Sequence, residues 1–171
     1  MANPPNPGSR RDLRQRRRQL SAAQQRRASA QLARVLRQRL EFRRARRIAF
    51  YLASDGEIDP APLLAFAHTA GKACYLPVLH PLGANRLHFV RYRPGQRLAS
   101  NKFGIAEPRL QTAADTPAWA LDIIFLPLVG FDRQGHRLGM GGGFYDRTLA
   151  FKRHRRASTP LLIGLAHSLQ E

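Results

Sequence analysis

From Ile48 onward the sequence alternates short apolar runs with stretches of helical pattern, and this alternation limits the fold more than any other feature. The apolar runs predict strands over residues 48–52, 73–76, 87–92, 121–126 and 161–166. A helix is predicted to begin at Asp59-Pro60 and to end at Gly71, and Pro77 is expected to close the second strand. Strands that alternate with helices favour an α/β layered fold, in which helices flank a central, largely parallel sheet.

Before the first strand, the sequence predicts an arginine-rich helical arm. Residues 1–9 are rich in Pro, Asn and Gly and predict a flexible tail, and one domain is expected over residues 10–171. Ser21 and Gln24 have the spacing of a capping box, which marks the start of a helix. Apolar residues then recur at the helical period and predict one buried face: Ala28, Leu32, Val35, Leu36 and Leu40. Most of the arginines are expected on the opposite, solvated face.

Positive charge is concentrated in this arm. Residues 1–47 contain 15 arginines against Asp12 and Glu41, so most of the net charge of +18 lies there. A strongly basic surface favours polyanions such as nucleic acid, nucleotides, acidic metabolites or anionic membranes. Few of the 29 basic residues are lysine. Either a need for bidentate phosphate contacts or a genome that favours arginine codons explains that bias.

Composition also excludes several classes of protein. A chain with 43% hydrophobic residues can bury a core, which argues against general disorder. The apolar run of residues 121–129 is too short to cross a membrane and contains Asp122 and Pro127. The single cysteine, Cys74, excludes an intramolecular disulfide framework and a cysteine-based zinc site. It fits a reducing compartment, so a cytoplasmic location is expected.

A glycine-rich segment follows the most hydrophobic strand. Gly139, Gly141, Gly142 and Gly143 stand before helical residues that begin near Phe144. In open α/β sheets, ligands bind at the edge where the carboxyl ends of the strands lie. Backbone N–H groups of glycines can approach an anion without interference from Cβ atoms. The segment therefore predicts a phosphate cradle, or else simply a flexible loop.

Charged residues flank the glycines and strengthen the first interpretation. Arg137 precedes them and Arg147 follows, and either guanidinium can neutralise phosphate oxygens. Asp146 can hold a Mg²⁺ ion that bridges those oxygens, or it can compensate a helix dipole instead. The segment is not a Walker loop, because a Lys-Ser/Thr pair is absent. It is not a dinucleotide fingerprint either, because Phe144 replaces the third glycine.

The run from Phe131 to Arg147 resembles the signature of the 5-formyltetrahydrofolate cyclo-ligase family, also called 5,10-methenyltetrahydrofolate synthetases. The similarity extends from about Arg10 to Gln170 and includes Gly56-Glu57-Ile58-Asp59 and Phe103-Gly104-Ile105. The resemblance implies an ATP- and Mg²⁺-dependent ligase that closes 5-formyltetrahydrofolate to 5,10-methenyltetrahydrofolate, with release of ADP and phosphate. In that reaction the γ-phosphoryl group of ATP activates the formyl oxygen, and the neighbouring amine closes the ring intramolecularly.

The resemblance also assigns residues to the two ligands. Arg10 and Arg14 match basic residues of the family's first helix that contact ATP, while Leu52 and Glu57 match folate contacts. The matching nucleotide loop contains Arg137, Leu138, Gly139, Met140, Gly141, Gly142, Gly143, Phe144 and Tyr145. Asp146 matches a Mg²⁺ ligand, and Arg137 and Arg147 are the expected catalytic residues, which neutralise phosphate charge.

Two positions of the loop depart from the family pattern. Phe144 stands where many members have a tyrosine near the folate, so a hydroxyl group is lost there. Gly142 stands where many members have a lysine, and Arg147 is expected to supply the missing charge. The chain also ends at Glu171, whereas family members continue through another strand and an acidic residue associated with the metal. We therefore expect that this C-terminal segment is lacking.

Two other functions are considered beside this one. The arginine-rich arm suits a nucleic-acid-binding protein, although no base-stacking motif accompanies it. The short C-terminus suits an ATP-binding regulator that has lost activity. On the favoured interpretation the chain is a monomer, its partner is a reduced folate with or without a polyglutamate tail, and it has no membrane partner.

Overall fold

The computed structural model describes residues 7–81, 85–109, 115–153 and 159–171. Its strands are β1 (Arg47–Ala49), β2 (Ala73–Leu79), β3 (Leu87–Tyr92), β4 (Leu98–Ser100), β5 (Ala106–Pro108), β6 (Asp115–Thr116), β7 (Ile123–Pro127), β8 (Gly130–Phe131), β9 (Arg137–Leu138) and β10 (Leu161–Leu165). Its α-helices are α1 (Pro7–Arg18), α2 (Ala22–Leu36), α3 (Leu40–Arg44), α4 (Ala61–Thr69) and α5 (Phe144–Thr148). Short 3-10 helices cover Ala118–Ala120, Ala150–Arg153 and Ser168–Gln170.

Within the described residues, six strands form the central sheet in the order β10-β7-β1-β2-β3-β6. The neighbours β10, β7, β1 and β2 run parallel, whereas β3 and β6 add an antiparallel edge. Two small hairpins, β4–β5 and β8–β9, lie outside this sheet. The predicted α/β fold with a largely parallel sheet is confirmed.

Apolar residues cover both faces of the sheet, as a parallel sheet requires. Successive residues of β7 alternate between two buried clusters, so Ile123 and Phe125 pack with α2 and α4 while Ile124 and Leu126 pack on the other face. Leu149 of the segment after α5 belongs to that second cluster. Of the helices described, none combines the length and the apolarity that crossing a bilayer requires.

The N-terminal helices differ in part from the prediction. The Ser21 capping box is confirmed, because Ser21 Oγ accepts from the Gln24 N–H at 3.2 Å and Gln24 Oε1 accepts from the Ser21 N–H at 2.8 Å. Helix α1 begins at Pro7, inside the segment predicted as a tail, and residues 1–6 lie outside the described residues.

The predicted apolar face from Ala28 to Leu40 is wrong at two positions. Val35, inside α2, is exposed. Helix α2 ends at Leu36 and a turn separates it from α3, so Leu40 leaves the predicted face and is exposed as well. Ala28, Leu32 and Leu36 do pack on the core. The turn places Phe42, which is 1% exposed, in the core instead of Leu40.

Two strand boundaries also differ. Strand β1 ends at Ala49, so residues 50–52 of the predicted strand lie beyond its end. Pro77 lies inside β2 and does not close it. The Tyr75 carbonyl accepts from the Phe50 N–H, so alternate residues of β2 direct their backbone groups toward β1. By that alternation Pro77 stands where β2 would next donate to β1, at the carbonyl of Phe50, and a proline has no N–H to donate. The ladder between the two strands therefore ends at Phe50.

One carboxylate joins the start of β1 to the start of β7. Asp122 Oδ2 accepts from the backbone N–H groups of Arg46 at 2.7 Å and Arg47 at 2.8 Å. We expect Asp122→Ala to lower the free energy of unfolding by about 1–3 kcal/mol, because two N–H groups lose a charged acceptor. Urea unfolding measures the change. Asp122→Asn retains an acceptor oxygen and should recover much of the loss, and an alanine variant as stable as the parent chain would contradict the assignment.

Candidate active site

The segment after β7 leads directly to the glycine-rich loop. Its small hairpin pairs Gly130 with Leu138 and Phe131 with Arg137. Asp132 closes the turn between them, since its Oδ1 accepts from the N–H groups of Gln134 at 3.0 Å and His136 at 2.8 Å. The hairpin therefore fixes the backbone of Arg137 at the entrance of the loop, at the edge of the sheet where ligands were expected.

The glycine loop, residues 139–143, has a backbone that favours glycine. Gly141 and Gly143 adopt φ values of +94° and +66°, in the left-handed region. A Cβ atom on Gly142 would lie 2.8 Å from Cε2 of Phe144. At Gly139 and Gly141, by contrast, no described heavy atom lies within 4 Å of where a Cβ would be. The loop is thus curved, and the space beside these two glycines is open to a ligand.

Two arginines and a carboxylate surround this loop, as the sequence predicted. Arg137 Nη2 donates to Asp146 Oδ1 at 2.6 Å. Arg147 Nη1 donates to the carbonyl oxygen of Gly142 at 2.7 Å and lies 2.6 Å from the position of a Cβ on Gly143. Arg147 therefore lies over the loop, next to the position where many family members carry a lysine. Leu138 is buried and Met140 is exposed.

The loop between β1 and α4 carries the second group of predicted residues. Glu57 Oε2 accepts from the Ser54 N–H at 3.1 Å, and the side chain of Glu57 is 10% exposed. Burial raises the pKa of Glu57, although the hydrogen bond from Ser54 and the charge of Arg17 oppose that shift. Leu52 is half-buried and packs against the core.

The loop of Glu57 and the segment that leads to the glycine loop meet at Arg17, whose Nη2 lies 3.6 Å from Glu57 Oε1 and whose Nη1 donates to the Leu128 carbonyl at 3.0 Å. Burial, followed by the nearby Glu57 carboxylate, raises the pKa of the Tyr145 phenol. Burial, again followed by Glu57, raises the pKa of Tyr51, whose hydroxyl donates to the Ile58 carbonyl at 2.7 Å. Tyr145 follows the glycine loop in α5, so Glu57 lies close to the helix that carries Asp146 and Arg147.

Three arginines of α1 converge on one carboxylate. Arg14 Nε lies 2.7 Å and Arg17 Nη2 lies 2.9 Å from Asp55 Oδ2, and Arg18 pairs with Oδ1. Burial alone would raise the pKa of the Asp55 carboxyl, but hydrogen bonds from these arginines hold it below its usual value. Asp55 itself adopts φ +54°, a left-handed conformation that aspartate tolerates. The structure therefore places the Nε of Arg14, predicted to contact ATP, on Asp55.

Arg10, the other predicted ATP contact of α1, is in a different situation. Its Nε is buried, and none of the described residues accepts a hydrogen bond from it. Arg10 and Arg14 are four residues apart and share one face of α1. A buried donor without an acceptor is costly, so a ligand is a natural source for the missing partner.

The sequence prediction missed two features of this region. The first is Arg17, whose side chain is fully buried. Leu13, four residues earlier, packs against Gly130, and its Cδ1 lies 2.8 Å from where a Cβ of residue 130 would be. Because residues four apart share one face of a helix, the spacing of Leu13 and Arg17 is the sequence feature from which the burial of Arg17 could have been predicted. The second is Phe103, which is 56% exposed. Its ring packs edge to face on that of Phe144, with 5.8 Å between the ring centroids. Together these rings form an apolar surface beside the glycine loop.

This fold and site define an α/β protein with a glycine loop suited to an anionic ligand at the carboxyl edge of a largely parallel sheet. A profile of the 5-formyltetrahydrofolate cyclo-ligase family matches residues 4–171. The chain belongs to the 5-formyltetrahydrofolate cyclo-ligase family.

Individual relatives agree with that assignment. The chain is 42% identical over 158 residues to the 5-formyltetrahydrofolate cyclo-ligase of Escherichia coli K12, covering 92% of this chain and 85% of that protein. The corresponding enzyme of Haemophilus influenzae is 41% identical over 94% of this chain and 84% of its own length. The NMR structure of 5,10-methenyltetrahydrofolate synthetase from Aquifex aeolicus superposes with a TM-score of 0.79 at 31% identity, covering 95% of this chain and 78% of that one.

Proposed function

We propose that this chain catalyses the ATP-dependent closure of 5-formyltetrahydrofolate to 5,10-methenyltetrahydrofolate. The observation that carries the proposal is that Arg17 contacts both sides of the site: the loop of Glu57, matched to folate, and the segment that leads into the glycine loop, matched to ATP. A reaction between a folate and a nucleotide requires their two sites to meet in this way.

The proposed reaction proceeds in two steps. The formyl oxygen attacks the γ-phosphorus of ATP, the bond from that phosphorus to the ADP oxygen breaks, and ADP leaves. The neighbouring amine nitrogen then attacks the formyl carbon, the bond from that carbon to the phosphorylated oxygen breaks, and phosphate and the amine proton are released. Neither step uses a nucleophilic side chain, so the task of the protein is to position the reactants and to neutralise charge.

The glycine loop and its two arginines suit the phosphate side of this task. The space beside the α-carbons of Gly139 and Gly141 is open, so phosphate oxygens can approach the backbone of the loop there. Arg137 and Arg147 lie on either side of the loop and can neutralise charge on the transferred group. The position of Arg147 over Gly142 supports the proposal that it replaces the lysine of other family members.

Asp146 suits a Mg²⁺ ion that arrives with ATP. Among the described residues, no group of three or more His, Cys, Asp or Glu side chains forms a complete metal site. Mg²⁺ commonly takes one or two carboxylates and completes its shell with phosphate oxygens and water. The exposed Asp146 carboxylate fits this arrangement, and the bound ion would neutralise phosphate charge.

The folate side consists of polar and apolar surfaces. The Glu57 carboxylate can accept hydrogen bonds from pterin N–H groups, and Leu52 lies in the same loop. Phe144 and Phe103 offer ring faces and edges to an aromatic ligand. Phe144 lacks the hydroxyl of a tyrosine, so its contribution is packing alone.

The direct test is an absorbance assay for the methenyl product. The purified chain is incubated with 5-formyltetrahydrofolate and MgATP, and the methenyl chromophore should form in proportion to protein concentration. Reactions without ATP, and reactions with EDTA, should form none. A protein that binds ATP but forms no chromophore would support the inactive regulator instead.

Further proposals concern location and partners. We propose a cytoplasmic location, which the single, buried, unpaired Cys74 supports, and a monomeric state. We also propose that the site accepts folates that carry a polyglutamate tail. The nucleic-acid alternative loses support, because the family is an enzyme family and because Arg14, Arg17 and Arg18 are engaged with Asp55.

Glu57→Gln provides a test of the folate side. We expect the KM for 5-formyltetrahydrofolate to rise about tenfold and the KM for ATP to change less than about twofold, because one charge-assisted contact to the pterin is lost. The pKa of Glu57 is raised, so its carboxylate takes up a proton at a higher pH than an exposed glutamate. The folate KM of the parent chain should therefore increase as pH falls toward that pKa, and the glutamine variant should lack this increase. An unchanged folate KM in the variant would contradict the role.

A further inference from the structure

Arg17 is a buried arginine that matches none of the predicted ligand contacts. It lies in the last turn of α1, and 0% of its side chain is exposed. Burying a guanidinium is costly unless its N–H groups find acceptors. Arg17 meets this condition with acceptors from two separate segments of the chain.

One of these segments is the loop that carries Glu57, and the other leads to the glycine loop. Arg17 Nε donates to the Asp55 carbonyl at 2.8 Å, Nη2 donates to Asp55 Oδ2 at 2.9 Å, and Nη2 lies 3.6 Å from Glu57 Oε1. Arg17 Nη1 donates to the carbonyl oxygen of Leu128 at 3.0 Å, immediately after β7. A single planar group thus bonds to the folate-side loop and to the start of the nucleotide-side segment.

Most of these acceptors have a second donor. Asp55 Oδ2 also accepts from Arg14 Nε at 2.7 Å, and the Leu128 carbonyl accepts from Gln170 Nε2 at 2.8 Å. Glu57 holds its own hydrogen bond from Ser54. Loss of Arg17 would therefore leave few buried groups without a partner. The contribution of Arg17 is that one guanidinium bonds to both segments at the same time.

We propose that Arg17 is a positioning residue of the active site, which fixes the loop carrying Glu57 relative to the segment that leads into the glycine loop. The proposal rests on the proposed function, because these two segments are the folate and ATP sides of that reaction. Arg17 itself is buried and does not need to touch either substrate. Its effect on the binding of both substrates is expected to be large, because the contacts to each substrate depend on how these two segments are held.

The test compares Arg17→Met with Arg18→Met. Arg18 is a matched control, because it pairs with the same Asp55 carboxylate but its side chain is 54% exposed. We expect Arg17→Met to raise the KM for ATP and the KM for 5-formyltetrahydrofolate about ten- to hundredfold, since both sides lose their alignment. Arg18→Met should change each KM less than about threefold, because an exposed ion pair contributes little.

The two constants separate positioning from folding. A variant that merely unfolds has fewer active molecules, so its apparent kcat falls while the KM of the folded molecules stays the same. Arg17→Met with both KM values unchanged would therefore overturn the proposal. If that variant yields no folded protein, Arg17→Lys decides, because one ammonium cannot reproduce the fork. Its KM for ATP should rise, and both values within about threefold of the parent chain would overturn the proposal.

Failure of the proposed function has a different signature. In that case the parent chain itself forms no methenyl product, and the comparison moves to dissociation constants for ATP and 5-formyltetrahydrofolate measured by calorimetry. Weaker binding of both ligands by Arg17→Met alone would still support the positioning role. Equal binding by the parent chain and both methionine variants would overturn it.

Discussion

Replacing Asp146 by asparagine is expected to reduce kcat/KM for MgATP about hundredfold, which corresponds to about 2.7 kcal/mol of transition-state stabilisation. The side chain is 63% exposed, and its described partner is Arg137 at 2.6 Å. Exposed ion pairs of this kind contribute about 0–1 kcal/mol to folding, so the free energy of unfolding should hardly change. A carboxylate that holds Mg²⁺ against phosphate has no comparable substitute in an amide.

Asp132→Asn is a suitable control for this prediction. Asp132 is another exposed carboxylate of the same segment, and asparagine can keep the Oδ1 contacts to the N–H groups of Gln134 and His136. Its kcat/KM should stay within about twofold of the parent chain, because only a surface charge and its exposed contact to His136 Nδ1 at 2.8 Å are altered. Initial rates at varied MgATP and urea unfolding curves are measured for both variants. An Asp146→Asn variant that loses stability and activity in parallel would instead favour a carboxylate that compensates the helix dipole.

The parallel core of the fold was predictable because its signal is local. Residues 121–126 and 161–166 are short apolar runs bounded by turn residues, and both form parallel strands. Strand β7 is buried, and β10, at the edge of the sheet, is partly buried. The position of Pro77 inside β2 was not predictable in this way. Whether a proline can stand in a strand depends on how the neighbouring strand pairs with it, and the ladder between β1 and β2 ends where Pro77 has no N–H group to donate. That is a property of strand pairing, which one sequence does not display.

In the candidate site, too, the residues that are continuous in sequence were predictable, whereas those whose environment depends on tertiary packing were not. The glycine loop with Arg137, Asp146 and Arg147 is continuous in sequence, and the structure brings those residues together. The arginines of α1 are alike in type, so their different environments follow from how the helix docks. Arg17 is buried because Leu13, one turn earlier, packs against Gly130 and directs that face inward. The pairing of Arg14 with Asp55 depends on a loop 41 residues away in sequence.

Arg10 is the arginine of α1 for which the largest effect on ATP use is expected. Its buried Nε has no acceptor among the described residues, whereas the Nε of Arg14 donates to Asp55. A phosphate oxygen would supply the missing acceptor, and a charge-assisted hydrogen bond contributes about 1.5–3 kcal/mol. Arg10→Ala should therefore raise the KM for ATP about ten- to hundredfold. Arg14→Ala should raise it only severalfold, through the loss of order around Asp55.

Arg11→Ala is the matched control, because Arg11 is the next residue of the same helix and is exposed. Its effect on the KM for ATP should be less than about threefold and should fade with added salt, since exposed charges are screened within about 10 Å at 0.1 M. The effect of Arg10→Ala should persist in the same salt series, because a direct contact in a partly buried site is screened much less. Equal, salt-sensitive effects of both substitutions would mean that the arm acts only through its diffuse field. In that case nucleic-acid binding, measured with the same variants, would become the leading explanation for its charge.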